Sequence, residues 1–233
     1  MQRSSTSQTH PVTYDEMGLI SLLRDCVRRK DLHTGSRIHA DILKNGILRQ
    51  SPYLGSTLVN MYAKCGDLAK AKQVLEEEIP LKNVVSWSAL ISGYVQYGKS
   101  DDAFSCFAKM EKQGITPDVV TFTSILKACG ITKSLEIGEK IHNEIANRGF
   151  LRKDVVLGTA LVDMYARCGE LVRAREVFNE LPFRDVVSYS AIIAGYAQHG
   201  QVDEALNSFG RMRNEVVSPN AITFTCLLKA CGS

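Results

Sequence analysis

The sequence predicts an all-α fold, a right-handed superhelical solenoid of two-helix hairpin repeats, on three observations. A long internal period runs through the chain, apolar residues recur at helical spacing inside it, and Gly and Pro stand where helices must end. The period is plainest where VVSWSALISGYVQYGKSDDAFSCFAKM from Val84 matches VVSYSAIIAGYAQHGQVDEALNSFGRM from Val186, 102 residues later. That span exceeds one structural repeat. It divides into three, opening at Val84, Val119 and Val155 with VVSWSAL, VVTFTSI and VVLGTAL and running for 35, 36 and 31 residues. Periods of this size mean stacked supersecondary units, each covering its apolar face with its neighbours.

Taken in order, residues 1–15 form a polar N-terminal segment. Its opening MQRSSTSQTH lacks the apolar stretch of a secretory signal and reads as a linker or the stub of a transit peptide. The first repeat spans 16–51, where GLISLLRDC, ending at Cys26, parallels TFTSILKAC, ending at Cys129. The second spans 52–83, where PYLGSTLVNMYAKCG from Pro52 parallels VVLGTALVDMYARCG from Val155 at an offset of 103. One extra residue within Glu76–Glu78, where the later copy has Asn179 and Glu180, accounts for the changed offset and is expected at a helix end before Pro80 and Pro182. Repeats follow at 84–118, 119–154, 155–185 and 186–220, with a truncated one at 221–233. The chain stops one helix into that last repeat and so reads as a segment of a longer protein.

Inside each repeat the apolar spacing is helical. Trp87, Leu90, Ile91 and Tyr94 stand at i, i+3, i+4 and i+7, as do Tyr189, Ile192, Ile193 and Tyr196. Gly98 or Gly200 then interrupts the chain. A second stripe follows at Ala103, Phe104, Phe107 and Met110, matched by Ala205, Leu206, Phe209 and Met212. Gly114 with Pro117, or Pro219, ends the second helix and returns the chain to the next repeat. Because the aromatic and Met positions recur in phase with the stripes, they read as packing and call for no cofactor.

Composition decides less. A hydrophobic share of 45% and a charged share of 23% suit a soluble globular protein, and no apolar run approaches the length that spans a bilayer. The net charge of +3 is too small to announce a nucleic-acid partner by itself. Seven cysteines raise the question of disulfides or metal, but Cys26, Cys129 and Cys231 share one repeat position and Cys65 and Cys168 another. Their spacing follows the repeat and not a cross-link.

Two-helix repeats of this length also occur in tetratricopeptide proteins, which bind protein segments. The cycle of 35, 36 and 31 residues, with NMYAKCGDL at Asn60, DMYARCGEL at Asp163 and LKACGITKSLEIGEKIH at Leu126, resembles the P, L and S repeats of plant pentatricopeptide repeat proteins. The resemblance covers residues 16–231. It makes 16–51 and 119–154 L-like, 52–83 and 155–185 S-like, 84–118 and 186–220 P, and 221–233 a truncated L-like repeat. Departures are Ile20, which stands where a polar base-reading residue is expected and disables reading there, and the extra Glu of the first S-like repeat.

The resemblance implies single-stranded RNA binding, one base per repeat, read by the fifth and last residues of each. The pairs are Ser56 with Asn83, Ser88 with Asp118, Thr123 with Asp154, Thr159 with Asp185, and Ser190 with Asn220. The fifth position directly follows the first apolar position of the stripe, and one residue along a helix turns about 100°, so that side chain is expected off the buried face. A carboxylate only accepts hydrogen bonds, which suits the N–H donors of guanine or uracil; Asn offers a donor and an acceptor, which suits the mixed edge of adenine. The family's code then gives a core site 5′-AGGGA-3′, with its third letter, from an L-like repeat, the weakest. Asp118, Asp154 and Asp185 also suit helix N-caps, and the two roles coexist only where the side chain still turns toward the ligand. The resemblance further implies that Val85, Val120, Val156 and Val187, second in their repeats, wedge between bases; a β-branched residue fitted at a helix start is the competing account. Lys64 and Arg167 are candidate phosphate contacts.

Catalytic chemistry is not indicated. His142 and Glu144 form an H-x-E string as in zinc deaminases, but no P-C-x-x-C follows, and His39 at the same repeat position marks the histidine as part of the repeat. No Gly-rich phosphate loop or nucleophile elbow is present. The expectation is a non-enzymatic segment with no catalytic residue, metal, cofactor, small-molecule substrate or membrane. By resemblance it addresses RNA for C-to-U editing in a mitochondrion or chloroplast, alongside other editing factors or a following catalytic domain. RNA processing or stabilisation in the organelle, and a protein-binding scaffold, are the alternatives.

Overall fold

This computed structural model describes residues 15–49, 51–151 and 153–232, so the polar segment 1–15 lies, Asp15 apart, outside the described residues. Those residues form thirteen α-helices and no strand. The chain clusters into two compact units, residues 1–86 and 87–233. The first holds α1 (Glu16–Arg29) and α2 (Leu32–Lys44), a short 3₁₀ turn, then α3 (Pro52–Cys65) and α4 (Leu68–Gln73), which runs into a π turn at Val74–Glu78. Helix α5 (Val84–Gln96) opens in the first unit and continues into the second. There follow α6 (Ser100–Lys112), α7 (Val119–Thr132), α8 (Leu135–Asn147), α9 (Val155–Cys168), α10 (Leu171–Glu180), α11 (Val186–Gln198), α12 (Val202–Asn214) and α13 (Ala221–Cys231).

The odd-numbered helices open the repeats and pack on one another, α1 on α3 in the first unit and α7, α9, α11 and α13 in succession in the second. The even-numbered helices close the hairpins. This is the hairpin-repeat, solenoid class of all-α fold. The first stripe is the core: Trp87, Leu90 and Ile91 and their counterparts Tyr189, Ile192 and Ile193 are at most 1% exposed. Each such side chain stabilises the fold by roughly 1.5–3 kcal/mol. The second stripe is narrower than its spacing suggests. Ala103, Met110, Ala205 and Met212 are buried, but Leu206 is 44% exposed and Phe104 and Phe209 are half-buried. Leu206 follows Ala205 by one residue, and that rotation turns it away from α11.

Local chemistry sets the helix ends. Asp31, Ser51 and Asp67 cap their helices by accepting backbone N–H bonds from Thr34, Leu54 and Lys70 at 3.0, 3.1 and 2.9 Å, each cap worth about 1 kcal/mol. Gly66 and Gly169 end α3 and α9 with φ of 97° and 90°, a left-handed conformation glycine adopts without strain. Close packing needs glycine elsewhere: a Cβ on Gly138 would stand 2.6 Å from the Met164 sulfur, so the absence of a side chain lets α8 approach α9. All seven cysteines are free thiols. Burial pushes the Cys129 thiol up to about 12, which leaves it protonated and unreactive.

The extra residue within Glu76–Glu78 is absorbed inside a helix and not beyond its end. Ile79 N–H bonds to the carbonyl of Val74 at 3.0 Å, an i to i−5 bond, so the insertion appears as one π turn.

Candidate nucleic-acid interface

Each opening helix begins just after the last residue of the preceding repeat, and that residue is its N-cap. Asp118, Asp154, Asp185 and Asn220 have extended backbones and accept N–H bonds from the first turns of α7, α9, α11 and α13; Asn83 does the same for Ser86 N–H at 2.9 Å. The capping expected of these residues is present. It also fixes where their side chains stand, between the start of one opening helix and the fifth position of the one before.

The fifth-position serines depart from expectation. Ser56, Ser88 and Ser190 are 6%, 4% and 7% exposed, and the next opening helix closes over Ser88 and Ser190, α7 over the first and α13 over the second. Two of their hydroxyls meet capping residues and the third meets a threonine of the next opening helix. Ser56 Oγ donates to Asn83 Oδ1 at 3.1 Å and Ser88 Oγ to Asp118 Oδ1 at 3.0 Å, while Ser190 Oγ lies 2.9 Å from Thr223 Oγ1. Thr123 and Thr159 are half-buried, and Thr123 Oγ1 donates to the Val119 carbonyl at 2.7 Å, away from Asp154. The structure thus brings Ser56 to Asn83 and Ser88 to Asp118 directly and couples Ser190 to Asn220 through Thr223.

Every contact accepted by a capping side chain uses Oδ1. Asp118 Oδ1 accepts from Thr121 N–H, Thr121 Oγ1 and Ser88 Oγ at 2.8, 2.7 and 3.0 Å. Asp154 and Asp185 accept two backbone N–H bonds each through Oδ1, at 2.9 and 3.2 Å and at 3.0 and 2.9 Å. The atom left to a ligand is the other one: Oδ2 for Asp, an acceptor, and Nδ2 for Asn, a donor. Asn therefore does not offer the mixed donor and acceptor edge expected from its formula, since capping has taken its carbonyl oxygen. Asp and Asn thus present opposite hydrogen-bonding polarity at that atom.

Beside the caps stand exposed apolar side chains. Val85, Val120, Val156 and Val187 are 57%, 54%, 55% and 58% exposed. Met17, Tyr53 and Ile222 occupy the same second position of their repeats, are equally exposed, and were not singled out by sequence. The signal for them was the repeat register, obscured because none is valine. In the second unit these groups line a groove of about 490 Å³ that collects Thr123, Thr159, Asp185, Ser190 and Asn220 with Val156, Val187 and Ile222. Arg167 lines the same groove, ion-paired to Asp163 at 2.8 Å, as does Lys127. Lys127 follows Thr123 by four residues, the helical spacing that would have revealed it. Lys64 lies in the first unit, in the last turn of α3.

Two further expectations meet their surroundings. Ile20 is 6% exposed and part of the core, and Ser51, which ends its repeat, is 4% exposed and caps α3, so this repeat presents no polar pair. His142 is half-buried between α8 and α9, its Nδ1 2.8 Å from the Tyr165 hydroxyl, and burial lowers its pKa.

Known proteins share these features. The sequence profile of the PPR repeat family matches residues 82–130 and 184–233, and that of the PPR repeat matches 56–77 and 159–186. A mitochondrial pentatricopeptide repeat-containing protein of Arabidopsis thaliana is 42% identical over 213 residues, 91% of this chain and 33% of its own length. A chloroplastic one from the same plant is 38% identical over 218 residues, 94% of this chain and 35% of its own. The chain thus spans about a third of the relatives it matches. Among solved structures, the fold resembles that of the pentatricopeptide repeat protein PPR10 in complex with an 18-nt psaJ RNA element, with a TM-score of 0.75 at 20% identity over 94% of this chain and 33% of that one. A second structure of PPR10, from maize, gives a TM-score of 0.71 at 20% identity, over 96% of this chain and 32% of that one. With hairpin repeats, matching profiles along most of its length and relatives up to 42% identical over nine-tenths of it, the chain belongs to the pentatricopeptide repeat family.

Proposed function

We propose that this chain binds single-stranded RNA along its opening helices, one base per repeat, with the core site 5′-AGGGA-3′. The observation that carries the reading is the division of labour within each capping side chain. Oδ1 holds the helix start, which leaves Oδ2 of Asp118, Asp154 and Asp185 to accept from the N–H donors of guanine, and Nδ2 of Asn83 and Asn220 to donate to the ring acceptor of adenine. The exposed second-position side chains supply apolar surface for unstacked bases, and Lys127 and Arg167 supply charge for phosphates. RNA bound to the structurally similar PPR10 supports the same class of ligand.

The role that fits is recognition without catalysis: the specificity segment of an organelle C-to-U editing factor, placing a cytidine for a catalytic domain or partner protein to act on. The mitochondrial and chloroplastic relatives support an organelle as the site of action. The test is an anisotropy titration against AGGGA, a scrambled RNA, and AGGAA, with the wild type and Asp185→Asn. Wild type should favour AGGGA over AGGAA by roughly tenfold, as one hydrogen-bonding base contact is worth about 1–3 kcal/mol, and the variant should reverse that preference. Equal, weak binding to all three would discard RNA recognition in favour of a protein scaffold.

A further inference from the structure

Two buried threonines, Thr121 and Thr223, stand third in their repeats, outside the pairs that read bases, yet their hydroxyls hold the reading side chains. Both are fully buried. Thr121 Oγ1 donates to Asp118 Oδ1 at 2.7 Å and lies 2.6 Å from Ser88 Oγ; Thr223 Oγ1 donates to Asn220 Oδ1 at 3.1 Å and lies 2.9 Å from Ser190 Oγ. Each P repeat thereby closes a three-residue network of fifth residue, last residue and the third residue of the repeat that follows.

The other repeats lack this network. After the S-like repeats the third residue is Ser86 or Ser188, whose hydroxyl donates to the backbone carbonyl of Asn83 or Asp185 at 2.8 or 3.0 Å and not to the side chain. After the L-like repeat 119–154 it is Leu157, which has no hydroxyl, and Asp154 is held by backbone N–H groups alone. The difference matters because the last torsion of Asp and Asn is broad and nearly two-fold. A side chain held at Oδ1 only by N–H groups of the first turn, as Asp154 is by two of them, can pivot about that atom, whereas an added donor from the buried hydroxyl narrows the pivot and so sets the aim of Oδ2 or Nδ2. Hydrogen bonds weaken steeply with misalignment.

We infer that Thr121 and Thr223 are positioning residues that set base discrimination at the second and fifth letters of the site, and that the third letter is read loosely because Leu157 replaces the hydroxyl. The inference rests on the base-reading proposal above. Anisotropy titrations of the whole chain compare AGGGA with AAGGA, AGAGA and AGGAA, changed at the second, third and fourth bases. For the wild type the G-over-A ratio should be about threefold to tenfold larger at the second base than at the third, the worth of one net hydrogen bond. Thr121→Val should bring the second-base ratio down to the third-base value and leave the fourth-base ratio unchanged, and Thr121→Ser should restore it. Thermal melts report whether Thr121→Val is folded; the wild-type comparison needs no variant.

Equal wild-type ratios at the second and third bases overturn the inference while base reading stands. A Thr121→Val protein that loses affinity for all four RNAs in proportion also overturns it, since that is the signature of a structural role. No preference at any base in the wild type removes base reading and this inference together.

Discussion

Residues 16–83 and 119–185 follow the same repeat pattern, and the histidine they share at one repeat position, His39 in the first and His142 in the second, meets different surroundings. In the first, His39 is 2% exposed, with Nδ1 3.0 Å from the Tyr62 hydroxyl and Nε2 2.8 Å from Glu78 Oε2, while Glu78 Oε1 lies 2.9 Å from Lys70 Nζ. In the second, His142 keeps the bond to Tyr165, but the other side of the ring opens on a cavity of about 350 Å³ lined by Glu139, Arg173 and Glu180 among others. Glu180 is exposed. The cause is the one extra residue: a π turn rotates the helix end by about 100°, and that rotation carries Glu78 inward. A single insertion thus converts an open polar pocket into a closed network around the Lys70–Glu78 ion pair.

The largest expected difference follows from that network. Glu78→Gln removes the carboxylate shared by His39 and Lys70 and should cost about 1–3 kcal/mol, because the Lys70 ammonium loses its ion pair and the buried His39 ring its charged neighbour, whereas Glu180→Gln should stay within about 0.5 kcal/mol as a surface change. Guanidinium unfolding of the two variants measures both, and equal losses would break the comparison. Next, Tyr62→Phe and Tyr165→Phe each remove one buried hydroxyl bond to a histidine and should cost a similar amount, about 1 kcal/mol; a marked inequality would mean that the shared half of the two sites is not equivalent.

A smaller effect separates the copies by pH. Burial is the leading cause that lowers the pKa of both histidines, so the fold favours their neutral forms. Their contribution is complete above the unfolded value of about 6.5 and is lost as pH falls below it, because the unfolded chain takes up protons first. Glu78 opposes this at His39, so Glu78→Gln should steepen the acid loss of stability, and His142→Gln should flatten it; denaturant midpoints between pH 7.5 and 5.5 report both. The smallest effect is at the exposed Asp163 and Arg167 pair. Arg167→Ala should change stability by no more than about 0.5 kcal/mol, yet lower the salt slope of RNA binding by about 0.7 if the groove uses it for a phosphate.

Much of this protein was legible in its residues. Trp87 and Tyr189, 102 residues apart, announced one core position in two repeats, and both are fully buried. The capping residues were legible too, as Asp and Asn at the last position of each repeat. Less legible were Tyr53 and Met17, exposed like the second-position valines but of another residue type. The orientation of Ser88 was not legible at all: helical rotation takes it off its own helix's core face, but the neighbouring helix α7 closes over it.

The sequence by itself determined the all-α class, the hairpin period, the helix starts and the identity of the capping residues, because apolar spacing, turn residues and cap chemistry are local properties of the chain. Tertiary structure alone decided which oxygen of each cap stays available, which hydroxyl holds it, and where the extra glutamate points. Those depend on the contact between one repeat and the next, where a displacement of a single residue changes the partner.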